Sequence, residues 1–142
     1  MPTRLIYGII QSTFDLGRVL RKKMHSSDPS DLHMGQIHAL AFIKEFPGIT
    51  MSKVADMLQV SSPTATSFVE RLVRMGYVTR HHDEKNRKFV CLEVTSQGMR
   101  ILESKMTEKR KIIAEVLSVL PEQDQKTLHS LLSKIISVHS RS

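Results

Sequence analysis

The chain reads as mainly α with a small β-hairpin (α+β), the layout of a winged helix-turn-helix with long helices at both ends. Three observations predict this. Residues 51–58 and the stretch Ser61 to Tyr77 form two short helical segments joined by only Gln59-Val60-Ser61. Two β-prone runs then flank the polar loop HHDEKNRK, as a hairpin does. Finally, the apolar stripes at both ends exceed what one small unit of this kind can cover.

The helix within Ser61 to Tyr77 is the centre of the pattern. Ser62 is a good N-cap, and Pro63 suits the first helical position, where its missing N–H costs nothing. Ala65, Val69, Leu72 and Val73 fall on one face at helical spacing. Thr64, Thr66, Ser67, Glu70, Arg71 and Arg74 fall on the other. Gly76 ends the helix as a residue able to take positive φ. Small side chains permit close approach to another surface, and hydroxyls bond phosphates or base edges. In isolation the pattern is equally that of an ordinary surface helix. Its neighbours shift the balance.

Length and charge narrow the classes. A chain of 142 residues suits one domain, 1–142, with a real core. A formal charge of +7 and a pI near 9.8 favour polyanionic partners, nucleic acid or an anionic membrane surface. No apolar run approaches the roughly 20 residues that span a bilayer. The N-terminus, MPTRLIYGIIQSTF, reads as an amphipathic helix and not as a signal peptide. A single Cys91 excludes an internal disulfide framework and points to a reducing, cytoplasmic setting. The absence of Trp and the low aromatic content argue against a stacking platform for single strands.

Taken in order, residues 3–24 carry apolar positions near 3.6 spacing and predict a long helix weakened by Gly8 and Gly17. Arg18, Arg21, Lys22 and Lys23 lie near its C-terminal end, where the helix dipole favours positive charge. HSSDPSD, 25–31, is a loop. A helix over 34–46 turns Ile37, Leu40, Ala41 and Ile43 inward and ends at Pro47-Gly48. Thr50 caps the short helix MSKVADML. Strands are expected at 77–80 and 89–94. Thr95 caps a helix that continues from Gly98 to about Val119, and a last helix runs from about Glu122 to His139. Both end helices need an apolar partner, and two-fold self-association supplies one. A symmetric dimer also sets two recognition helices about 34–36 Å apart, one turn of duplex DNA.

Several stretches together resemble the MarR family of bacterial transcriptional regulators, over nearly the whole length and in order. LHMGQIHALAFI, from Leu32, resembles the family's Leu-Thr-x-x-Gln-x-x-x-Leu segment. ITMSKVADMLQVSSPTATSFVERLVRMGYVTR resembles its helix-turn-helix. NRKFVCLEVTSQG resembles the wing pattern Asp-Arg-Arg followed by Leu-Thr-x-x-Gly. The resemblance implies a homodimeric, ligand-responsive repressor on a pseudo-palindromic operator, not an enzyme. Residues 33–98 would be the winged helix-turn-helix, and 1–32 and 99–142 the dimerisation helices. Ser62, Thr64, Thr66 and Ser67 would face bases or phosphates. Arg71 and Arg74 would hold phosphates or structure the wing. Arg87 would enter the minor groove, supported by Lys85 and Lys88. A small hydrophobic or anionic effector would sit among Tyr7, Phe14, Met34, Phe42 and Phe46, which equally suit a simple core.

The chain also departs from the family pattern. Asn86 stands where Asp usually braces a wing arginine, and Lys88 keeps the charge of the second Arg without its planar fork. His33 replaces a capping Thr, and Val94 replaces Leu.

Other chemistries find little support. Cys91 lies mid-strand with no second Cys to resolve it, which favours an incidental role over redox sensing. Adjacent His81 and His82 would point to opposite faces of a strand, and no ligand motif joins His25, His33 and His38, so no metal is expected. No cofactor motif appears. Met99 and Met106 read as core filler. Neither paired carboxylates nor a nucleophile–base constellation is present. A protein-binding winged helix is the rival class, but it has no need of a basic wing after a hydroxyl-rich helix.

Overall fold

The computed structural model describes residues 1–141. In chain order the elements are α1 (Arg4–Met24), α2 (Met34–Glu45), β1 (Ile49–Thr50), α3 (Met51–Leu58), α4 (Ser62–Arg74), β2 (Val78–His82), β3 (Val90–Val94), α5 (Ser96–Leu117) and α6 (Glu122–His139). They form two compact units, one of residues 25–108 and one of 1–24 with 109 onward.

The 25–108 unit holds the core. The predicted inward residues Leu40, Ile43, Val54, Val69 and Leu72 are fully buried, joined by Val78 and Leu92 from the strands. Each such side chain contributes about 1.5–3 kcal/mol relative to exposure. Leu32 and Leu102 also join this core, and Met106 packs against it. The unit therefore extends beyond 33–98 on both sides, because the loop before α2 and the first turns of α5 bury apolar side chains here.

A three-stranded antiparallel sheet has the order β1-β3-β2. Ile49 pairs with Leu92, Arg80 with Leu92 from the other side, and His82 with Val90. The hairpin was expected; β1 was not. Its two residues are too few to show alternation, and their pairing is non-local. β2 also runs on through His82, so the wing loop is 83–89 and not the whole of HHDEKNRK.

The helix boundaries follow local chemistry. Ser61, not Ser62, caps α4: its Oγ accepts from the Thr64 amide at 3.3 Å. Pro63 therefore sits one place further into the first turn. At the other end, Gly76 takes φ +79°, its amide donates to Val73 O and the Tyr77 amide donates to Leu72 O. These paired bonds satisfy the last carbonyls of the helix. Thr95 caps α5 as expected, accepting from the Gly98 amide at 3.0 Å while its hydroxyl donates to Gly76 O at 2.6 Å. The helix opens at Ser96, directly after this cap, and closes at Leu117, two residues before the expected end near Val119.

The second unit comprises α1, the end of α5, and α6. None of the described residues of α1 or α6 is buried. Leu5 is 73% exposed, Phe14 65% and Ile136 60%. No helix of the described residues is long and apolar enough to cross a membrane.

Candidate nucleic-acid interface

The helix-turn-helix is tied at every corner. Thr50 Oγ1 accepts from the Lys53 amide at 3.3 Å and starts α3. Gln59 ends it in the left-handed region at φ 55°, a conformation that reverses the chain within two residues. The Val60 amide returns to Ala55 O, and Ser61 then opens α4. Ser61 Oγ also donates to Thr64 Oγ1 at 2.8 Å, which leaves the Thr64 hydroxyl hydrogen available for another acceptor.

The outer face of α4 divides in two. Ser62, Ser67, Glu70 and Arg74 are exposed, whereas Thr64 and Thr66 are half-buried. Glu70 lies between Ser67 and Arg74 on that face. As an acceptor it repels phosphate but accepts from a cytosine amino group. Sequence inspection set it on the polar face without assigning it to the site.

Arg71, expected toward phosphate or wing, is bonded to the loop before α2 and to α2 itself: Nη2 donates to Pro29 O at 2.9 Å and Asp31 O at 3.1 Å, and Nη1 to Gln36 Oε1 at 3.3 Å. An outer-face arginine looks the same in sequence whether it meets DNA or a loop. Only the tertiary position of the 25–33 loop distinguishes them. Arg74, one residue past this anchor in the helical row, carries no such bonds and is exposed.

The wing brings Lys85, Arg87 and Lys88 together on an exposed tip. The Arg87 guanidinium has no hydrogen bond or ion pair among the described residues. Asn86 does not brace it. Its Oδ1 accepts from the Lys88 amide at 3.1 Å, and its carbonyl from the Phe89 amide at 3.0 Å. Asp83 closes the loop base, accepting from the Lys85 amide at 3.0 Å. His82, expected with His81 and Arg80 near DNA phosphates, holds the tip: Nδ1 lies 2.9 Å from Arg87 O. A carbonyl only accepts, so the Nδ1–H form makes this bond. Arg80 is also exposed on β2.

Electrostatic perturbations gather at the loop behind α4. Asp31 is held below its ordinary range by the hydrogen bond from Lys105, against burial. Burial works against the Lys105 ammonium, but the hydrogen bond and charge of Asp31, with Glu108, leave it raised. His33 is lowered, first by burial and then by the Arg71 charge. Its ring meets Phe68 of α4 edge-on, with centroids 4.8 Å apart.

The remaining candidates are dispersed. Tyr7 and Phe14 lie exposed on α1, in the terminal-helix unit. Met34, Phe42 and Phe46 belong to the 25–108 unit; Met34 and Phe46 are exposed and Phe42 is half-buried. Cys91 is half-buried on β3 opposite Thr50 and His81. Among the described residues, no group of three or more His, Cys, Asp or Glu is placed to hold a metal. Met106 packs against the core as filler, while Met99 is exposed.

A helix-turn-helix backed by a three-stranded sheet with a basic, protruding hairpin defines the winged-helix class. Comparison with known proteins gives the family. The MarR family model matches residues 32–90. The uncharacterised HTH-type transcriptional regulator YybA of Bacillus subtilis is 30% identical over 105 residues, 74% of this chain and 70% of the relative. The chain belongs to the MarR family of DNA-binding transcriptional regulators, which are not enzymes. Solved structures agree in fold. A MarR family protein from Bacillus stearothermophilus has a TM-score of 0.80 at 20% identity, covering 99% of each chain. Streptococcus pneumoniae FabT, solved in complex with DNA, has a TM-score of 0.68 at 22% identity, covering 97% of each.

Proposed function

We propose that this protein is a homodimeric, cytoplasmic repressor that binds duplex DNA at a pseudo-palindromic operator. α4 reads the major groove through Ser62, Thr64, Thr66 and Ser67, with Arg74 on phosphate. The wing places Arg87 in the minor groove, with Lys85 and Lys88 on the backbone. The observation that carries this reading is a hydroxyl-bearing face of α4, with Ser62 and Ser67 exposed, on a chain whose wing-tip arginine has no side-chain partner among the described residues. The FabT–DNA complex supports the class of ligand. Repression needs only tight occupancy of a promoter.

The exposed apolar faces of α1 and α6 support self-association. A second copy covers them at no cost in specificity, because an isologous interface is self-complementary. Release by a small hydrophobic or anionic effector rests on the family resemblance.

The test is anisotropy of fluorescent duplexes, selected from random sequence by the protein itself, titrated at several salt concentrations. Arg87→Ala is expected to weaken binding to all duplexes several-fold and to reduce the slope of log K against log salt by about 0.9, one phosphate-scale contact. An unchanged affinity and slope would remove the wing from the interface.

A further inference from the structure

The loop between α1 and α2 carries more polar structure than a connection needs. Asp28 accepts from the Ser30 amide and hydroxyl at 2.9 and 2.7 Å, and the Asp31 amide donates to Asp28 O. Asp31 is gripped from two sides. Its carbonyl accepts from Arg71 of α4 at 3.1 Å, and its carboxylate pairs with Lys105 of α5. The pair is sheltered, with side chains 28% and 14% exposed. Gln36, the buried polar residue of α2, finishes the knot: its Oε1 accepts from the His33 amide at 3.1 Å and from Arg71 Nη1 at 3.3 Å. Asp31 thus joins α4 to α5, and Arg71 joins both to Gln36 of α2.

We propose that Asp31 is a positioning residue for sequence recognition: through Arg71 and Lys105 it fixes the roll of α4 against α2 and α5, and so the aim of the base-reading side chains. Apolar contacts hold a helix against its neighbours but restrain rotation about its own axis weakly. A guanidinium on two carbonyls and an amide oxygen has a fixed planar geometry and restrains that rotation directly. Lys105 completes the restraint by holding the Asp31 carboxylate, which keeps the carbonyl that Arg71 uses in place. These bonds use three of the five N–H donors of Arg71.

This inference rests on α4 being the reading helix, so the experiment separates the two. The probes are a duplex selected by the wild-type protein and a scrambled duplex of equal length. The measured quantity is the ratio of the two affinities, at a temperature where circular dichroism reports each variant folded. Asp31→Asn and Lys105→Met are each expected to lower the ratio about fivefold, with no further loss in the double variant. Their net charges change in opposite directions, so simple attraction to DNA moves them oppositely, whereas positioning moves both the same way. Lys105→Arg is expected to retain the ratio. Arg71→Lys is expected to lower it without changing the salt slope. A ratio unchanged in Asp31→Asn while Ser67→Ala lowers it overturns the inference. A ratio unchanged in both overturns the reading of α4 itself. A salt slope reduced by about 0.9 in Arg71→Gln, which removes the charge that lysine keeps, returns Arg71 to phosphate binding.

Discussion

Gly98 is the position where the winged helix is least tolerant. It is buried in the first turn of α5, and an added Cβ would stand 2.1 Å from Tyr77 O and 2.7 Å from Val94 Cγ1. The obstructing carbonyl is itself committed, because it accepts from the Thr95 amide at 3.0 Å. Gly98→Ala therefore has to move α5 away from the turn after α4 by roughly 1 Å, a shift that rigid interiors resist. Overpacking of this kind costs about 1–3 kcal/mol. A stretched Thr95–Tyr77 bond adds about 1 kcal/mol. The higher helix propensity of Ala returns at most about 1 kcal/mol. The expected net loss is about 1–3 kcal/mol, or about 3–12 °C in Tm for a chain of this size. Urea unfolding followed by far-UV circular dichroism measures it, with protein concentration held fixed because any self-association would make stability depend on it. A loss below about 0.5 kcal/mol would refute the argument, since the approach of Gly98 to Tyr77 would then impose no constraint.

Further outcomes are expected at three places. His82→Leu removes the donor to Arg87 O and is expected to weaken DNA binding about two- to fivefold, while His82→Asn, which keeps an N–H near the same place, retains affinity; in an Arg87→Ala background neither substitution has a further effect. Acid lowers stability in two stages. His33 is lowered in the folded protein, so the unfolded chain binds the proton first, and stability falls as pH drops from above 6.5 through the folded value. Asp31, lowered from 3.8, gives stability that is complete above that value and is lost as pH falls through the folded one. Denaturant midpoints measured against pH show both stages, and His33→Gln removes the first alone. Deleting residues 122–142 is expected to give monomers or insoluble chain in sedimentation; a folded dimer from that truncation would move the interface elsewhere.

The parts that could be read from sequence are those whose cause is local. Hydrophobic spacing placed α1, α2, α3 and α6 within a residue or so of where they lie. Gly76 and Thr95 punctuate correctly because positive φ and an N-cap are single-residue requirements. The choice between Ser61 and Ser62 was less determinate, since either hydroxyl can cap and only the backbone turn after Gln59 selects the first. β1 was invisible because two residues have no period, and their strand character comes from Leu92 and Cys91, some 40 residues away. β2 overran its expected end because His81 and His82 carry no strong strand signal; pairing with Cys91 and Val90 supplies it.

The candidate interface divides along the same line, and Arg71 and Arg87 are the instructive pair. Both are arginines on polar stretches beside apolar ones, and composition cannot separate them. The structure does so through what each has already spent. Arg71 has committed three of its five N–H donors to Pro29, Asp31 and Gln36, so moving it onto a phosphate would strain those bonds. Arg87 has committed only its carbonyl, to His82, and its charge is free of other partners among the described residues. The same reasoning explains the Asn86 substitution. An aspartate at that place would offer Arg87 a competing anion, whereas Asn86 secures the loop through the Lys88 amide and leaves the arginine to its ligand. The wing thus gives up a brace on the side chain and keeps one on the main chain. A backbone brace holds the position of Arg87 without screening its charge, the better arrangement for the minor-groove role proposed for it.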